Sequence, residues 1–392
     1  MHVRMRVPMR RAVAVLIGAA LLASGLSGCG HQDPPWAHLA WQTAHLPLPA
    51  GDRAMVRGAT WCGDRWVVVG ATADTRGSTR PAVWVSGDGT HWQTLSLDPG
   101  DDYYAARAIL TSVGCSHGRL AVLGAKSGGA HGNPRTATWR QQPDGSLAAV
   151  VAPFELFGGE SAVAVNRLVG GPSGYLIAGT RMRGAAVWSS RHGDRFRLHE
   201  AAPGLTSTPQ LLTQALDAVW WRGAWTVAGV ASDHTGRLTA TVWTGAGSGP
   251  WSRIRLPGGS TITTAERLAL TGVGPVAVGL DDQGFGVWTE RGGRWVGGST
   301  FGVTDPDATS AAYVSSAGWT GSLLAATYSD GVAFRLAIGP TDDLHAVPLP
   351  TAVTVRGDHT AVIATHGDDA LLLTDDGRQG RVWPTRVPDA SR

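Results

Sequence analysis

Short apolar runs, each closed by a small residue, recur along this chain at intervals of about 40–55 residues, the period of a repeat architecture. The clearest copy reads Trp66-Val67-Val68-Val69-Gly70, then a polar loop from Ala71 to Pro81, then the alternating run Ala82-Val83-Trp84-Val85. A turn, Ser86-Gly87-Asp88-Gly89-Thr90-His91, leads into Trp92-Gln93-Thr94-Leu95-Ser96-Leu97. The closing glycine recurs at Gly70, Gly124, Gly179, Gly229 and Gly279, with Ala326 and Ala364 in the last two copies. The aromatic of the following run recurs at Trp84, Trp139, Trp188, Trp243 and Trp288, with Phe334 and then Leu372. A third aromatic, opening the last run of a copy, stands at Trp92, Phe196, Trp251, Trp295 and Trp383.

Runs such as Leu120-Ala121-Val122-Leu123 and Pro275-Val276-Ala277-Val278 are too short for helices and lie between turn residues, so they read as strands buried on both faces. No segment holds a helical period with caps. The expected fold class is therefore all-β, a β-propeller of seven four-stranded blades, each a meander a–b–c–d. One blade cannot bury both of its faces, and closing the ring covers them and removes sheet edges. The fixed register of the tryptophans assigns them to packing between blades and not to sugar stacking.

The turn from Ser86 to Trp92 resembles the Asp-box (BNR) hairpin of sialidase-like and sortilin-like propellers, one residue shorter than that family's pattern. Thr374-Asp375-Asp376-Gly377 comes close to it, whereas Ser190-Arg191-His192-Gly193 has lost the aspartate. An Asp-Gly pair suits a tight c–d turn. In that family the box is structural, so the resemblance implies architecture and leaves activity open.

The first residues read as an export signal. Arg4, Arg6, Arg10 and Arg11 precede an apolar stretch from Ala12 to Leu22, and Leu26-Ser27-Gly28-Cys29 follows. This resembles the lipobox of bacterial lipoproteins, which implies a diacylglycerol-modified Cys29 as first mature residue, held on the outer face of the cell membrane. Arg10-Arg11 leaves the twin-arginine route open beside the general one. The expected organisation is thus signal 1–28, tether 29–40 and propeller 41–390. Lys126 stands alone among many arginines, the bias of a GC-rich, actinobacterial-type genome. The formal charge of +3 falls to −1 once the four signal arginines are removed. No basic block remains, which excludes a nucleic-acid partner.

In an exported protein Cys62 and Cys115 form a candidate disulfide. Cys62 precedes Gly70 as Cys115 precedes Gly124, which places both at a–b turns of adjacent blades. Ring closure is open between two segments: Trp41 to Leu48, similar to Trp92-Gln93-Thr94, and Arg381-Val382-Trp383-Pro384.

Chemistry is sparse. The b–c loops, on the face where propellers usually bind ligands, carry Arg76, Arg80, Arg181 and Arg183 in the early blades, beside Lys126 and Arg135. The later blades carry Asp233, Asp281, Asp282, Asp330, Asp368 and Asp369, which suggests a charge-split binding face. No metal motif is present: histidines are scattered, and Asp281-Asp282 and Asp368-Asp369 lack calcium-loop spacing. No cofactor fingerprint follows a strand. A sialidase-like site needs clustered arginines, a tyrosine activated by glutamate, and an acid. Glutamates are few, and Tyr103-Tyr104 after Asp101-Asp102 is the nearest tyrosine–acid cluster. The expected function is a monomeric, non-enzymatic binding or assembly scaffold for an envelope protein or glycan, with a sialidase-like glycoside hydrolase as the alternative. Three convergent arginines with a Tyr–Glu pair would favour the enzyme; an empty or apolar channel would favour the scaffold.

Overall fold

The computed structural model describes residues 34–128 and 132–389. Cys29 and the expected signal therefore lie outside the described residues, as does His131. Seven antiparallel sheets follow one another along the chain. Their first strands are Arg53–Cys62, Ile109–Ser116, Ala162–Gly171, Leu211–Trp221, Arg267–Leu270, Tyr313–Thr320 and Thr360–His366. Each of these strands a packs against the next and the seventh returns to the first, so the sheets are the blades of a closed propeller around a channel. Among the described residues no helix is long and apolar enough to cross a membrane.

The repeat has a direct physical cause. Each main apolar cluster lies between two neighbouring blades, as where Trp84 and Val68 of blade 1 meet Leu371 and Val382 of blade 7. Trp139, Trp188, Trp243 and Trp288 do the same one blade further on each time. The indole N–H of each of four of them donates to the connection that leaves the preceding blade: Trp84 to Pro47 O (3.0 Å), Trp188 to Leu156 O (2.7 Å), Trp243 to Gly204 O (2.9 Å) and Trp288 to Pro257 O (2.7 Å). Each of these four is thus an apolar wedge with its one polar atom satisfied, whereas the buried Nε1 of Trp139 has no partner among the described residues. The recurring glycine faces a β-bulge in strand a, which pushes a carbonyl against it. A Cβ on Gly229 would lie 1.9 Å from Gln214 O and 3.0 Å from the Trp243 ring. Glycine is required at this position by backbone and wedge together.

Two blades depart from the expected register. In blade 6 the bulge falls between Val314 and Ser316, which puts Tyr328 at the glycine position and Ala337 opposite Ala326 at the wedge position. Phe334 and Ala326 are therefore not the equivalents of Trp84 and Gly70. The exchange is compensated: the Tyr328 ring fills the space the indole vacates, 4.6 Å from Phe285 and 5.4 Å from Phe301 of blade 5. In blade 7 the runs Thr360–His366, Asp369–Asp375 and Gly380–Arg386 are strands a, b and c, one place earlier than expected. Trp383 pairs with Leu372 as Trp84 pairs with Val68, so it belongs to strand c. Strand d is the amino-terminal segment: Gln42 N–H donates to Pro384 O and Ala44 N–H to Val382 O, both at 3.0 Å. Of the two candidate segments, it is the amino-terminal one that clasps the ring.

Blade 2 gains a short fifth strand, Leu97–Asp98, parallel to Leu147–Val150. The packed chain also begins before the boundary expected at 41, because Trp36 is buried against Leu336, Ile363 and Val387.

Cys62 and Cys115 form the disulfide, with Cα atoms 5.5 Å apart and a separation of 53 positions in sequence. It joins the a–b hairpins of blades 1 and 2. Opening it by Cys62→Ser with Cys115→Ser should cost about 4 kcal/mol, the chain-entropy value for such a loop. Urea unfolding under non-reducing conditions measures this; a loss below about 1 kcal/mol would contradict it.

Candidate functional site

The bulges of strand a also aim its side chains into the channel. The equivalent bulged residues are Arg57, Thr111, Asn166, Leu216 and Ser315 in blades 1, 2, 3, 4 and 6. Together with Arg167, Arg267 and Tyr313 they line a cavity of about 450 Å³ at the channel mouth on the b–c loop side. Three arginines and a tyrosine thus converge from blades 1, 3, 5 and 6. Residues far apart in sequence meet because strand a of every blade faces the axis.

The next position along strand a staples the blades. Ser112 Oγ accepts the Leu168 N–H of blade 3 at 2.9 Å, Asp217 Oδ2 accepts Leu268 N–H of blade 5 at 3.0 Å, and Ser316 Oγ accepts Ile363 N–H of blade 7 at 2.7 Å. These bonds tie neighbouring strands a together beside the arginines.

The arginines differ in what they have left to offer. Arg57 is spent: Nη1 donates to Asp375 Oδ2 at 2.6 Å and Nη2 to Asp358 Oδ2 at 3.2 Å. Asp375 is fully buried and also faces Arg53. Arg167 meets Asp217 through Nε at 3.1 Å, and its two outer nitrogens have no hydrogen bond among the described residues. Arg267 gives Nε to Ser315 O (2.8 Å) and Nη1 to Glu266 O (2.6 Å), leaving Nη2. Burial, and then the positive charge of Arg167, hold the Arg267 pKa below its usual value. The unfilled donors of two mutually repelling guanidinium groups therefore face one cavity, an arrangement that an anion relieves.

Tyr313 lines the cavity beside them, and Glu266, next to Arg267 in the chain, stands behind the lining within reach of Tyr313 by charge. Glu266 is buried, and burial raises its pKa. It accepts bonds from Thr264 Oγ1 and from the Val314 N–H of blade 6. The Tyr313 hydroxyl makes no hydrogen bond among the described residues, and burial pushes its pKa up, which keeps it a donor through neutral pH.

None of the residues expected to form a binding face lines this cavity. Arg76 and Arg183 are exposed on b–c loops, and Arg80 pairs with Asp52. Arg181 is only 5% exposed and holds Gly158 O and Glu200. Asp233, Asp282 and Asp330 accept backbone N–H groups at Thr235, at Thr261 and at Val332, so they fold loops. Asp281 takes the Ser260 hydroxyl. Asp368 and Asp369 lie in the a–b hairpin of blade 7, at the opposite end from the b–c loops, because that blade's strands are shifted by one place. The same shift makes Thr374 to Gly377 a b–c turn, whereas Ser86 to Trp92 is a c–d turn, closed by Asp88 accepting Thr90 and His91 N–H. Tyr103 and Tyr104 do not line the channel cavity. Among the described residues no group of three or more His, Cys, Asp or Glu side chains is placed to hold a metal ion.

No family model and no curated protein matches the chain. Its fold is similar to that of the β-propeller domain of the Trilobed protease from Pyrococcus furiosus, 9% identical over 86% of this chain and 96% of that one, with a TM-score of 0.48. It is also similar to Trypanosoma rangeli sialidase in complex with 2,3-difluorosialic acid, 10% identical over 85% of this chain and 54% of that one, with a TM-score of 0.43. A third likeness is to sucrose-6-phosphate hydrolase from Lactobacillus gasseri, 10% identical over 91% of this chain and 94% of that one, with a TM-score of 0.37. These are likenesses of architecture. What the channel does is argued from its own side chains.

Proposed function

We propose that the channel mouth binds an acidic sugar, with Arg167 and Arg267 taking its carboxylate. The observation that carries this reading is the set of unfilled outer nitrogens on those two guanidinium groups at one cavity. Planar donors in that number suit a carboxylate held by paired hydrogen bonds. The Tyr313 hydroxyl and Thr360 on the same wall suit a ring bearing hydroxyls, and the volume is that of a small-molecule site. A channel lined by charge is neither empty nor apolar, so the sialidase-like alternative describes it better than a bare scaffold does. The anchor expected at Cys29 would hold the mouth at the outer face of the membrane, among envelope glycans.

Glycoside hydrolysis is the second reading, favoured by Tyr313 on the cavity wall and by Glu266 of the preceding blade, which stands outside the lining but near enough for its charge to act on Tyr313. As it stands Glu266 gives its oxygens to Thr264 and Val314, so turnover requires it to exchange a partner for the Tyr313 hydroxyl. Calorimetric titration with N-acetylneuraminic acid and with neutral N-acetylmannosamine should show binding of the acid alone. Equal binding of both, or of neither, removes the channel reading. Release of a fluorogenic aglycone from a sialoside, lost in Tyr313→Phe, would establish hydrolysis; binding without release would leave a lectin.

A further inference from the structure

A second cavity of about 620 Å³ lies over blade 2, and Pro134 and Thr136 border both it and the channel mouth. The two cavities are therefore neighbours, with those two residues on their common border. Its walls are unlike the channel's. The Arg135 guanidinium lies between two rings, 4.3 Å from the centre of Phe154 and 5.7 Å from that of Tyr104. Phe154 is 52% exposed and Val151 fully so, which is unusual for a structural core. Asp102 fixes the opposite rim by accepting the N–H groups of Tyr104 and Ala105 at 2.7 and 3.0 Å. Arg135 Nε is buried and has no partner among the described residues.

We infer that this groove holds the neutral sugars attached to the acidic one, so that the ligand is an oligosaccharide ending in an acidic residue and not a free acidic monosaccharide. The inference rests on the channel reading above. It adds the occupant that joins the two cavities: ring faces for the C–H faces of pyranoses, with a cation and carboxylates at the edges for their hydroxyls. A neutral extension fits because the channel already takes the charge.

The test uses the folded mature chain with N-acetylneuraminic acid and 3′-sialyllactose as probes, in wild type, Phe154→Ala and Phe154→Leu. The leucine variant keeps apolar volume against Gly158, which the Phe154 ring covers, and removes only the ring face. Wild type should bind the trisaccharide about tenfold more tightly than the monosaccharide, a difference of about 1.4 kcal/mol. Both variants should lose most of that gain while binding the monosaccharide within about twofold of wild type. Equal affinity of wild type for the two probes overturns the groove and leaves the channel standing. Loss of monosaccharide binding in Phe154→Leu also overturns the groove. Failure of both probes to bind wild type overturns the channel and the groove with it.

Discussion

Trp243→Ala should lower the unfolding free energy by about 3–5 kcal/mol, the cost of emptying a large aromatic site in a core that cannot collapse. Trp243 is fully buried between blades 3 and 4, against Leu176, Val187 and Val227. Its indole N–H also satisfies Gly204 O, which the truncation strands. The cavity would lie at a blade interface, and every other interface depends on the ring staying closed. Trp383, at the equivalent place in blade 7, is only partly buried and bonds within its own blade to Thr374 Oγ1. Trp383→Ala should therefore cost clearly less. Thermal or urea unfolding of both variants checks the order, and a reversed order would refute the wedge assignment.

The second large effect is on binding. Arg167→Lys should weaken binding of the acidic sugar by roughly 10–100-fold, the value of one or two charge-assisted hydrogen bonds. Lysine keeps the positive charge beside Asp217 and so should leave stability within about 1 kcal/mol of wild type. It cannot present two outward nitrogens in one plane, which is what the carboxylate uses. Asp217 remains held by the Ala218 and Leu268 N–H groups in the variant. Retained stability with lost binding separates a ligand-contacting arginine from a structural one.

What could be read from the chain follows from these roles. The Gly and Trp repeat was legible because bulge and wedge leave few residue choices, so Gly229 and Trp243 recur wherever that geometry does. Blades 6 and 7 were misread where the geometry is solved differently. Tyr328 with Ala337 inverts the size pattern, and in blade 7 the amino-terminal segment supplies the last strand, which moves every assignment by one. The disulfide was legible because Cys62 and Cys115 hold the same register in successive copies. The site was not. Loop charges such as Asp233 and Asp330 stand out in a sequence because loops are polar, yet here they are spent on turns. Arg57, Arg167 and Arg267 lie in apolar strands, one to a blade, and only the closed ring brings them together. Their signal was present in muted form, an arginine twelve or thirteen residues ahead of Gly70, Gly179 and Gly279.

The most direct test is a calorimetric comparison of N-acetylneuraminic acid with its methyl ester, which keeps every hydroxyl and removes the charge. Arginine donors with no partner of their own predict that the acid binds at least tenfold more tightly than the ester and that Arg167→Lys removes the difference. Equal affinity for acid and ester, unchanged by Arg167→Lys, would contradict the account.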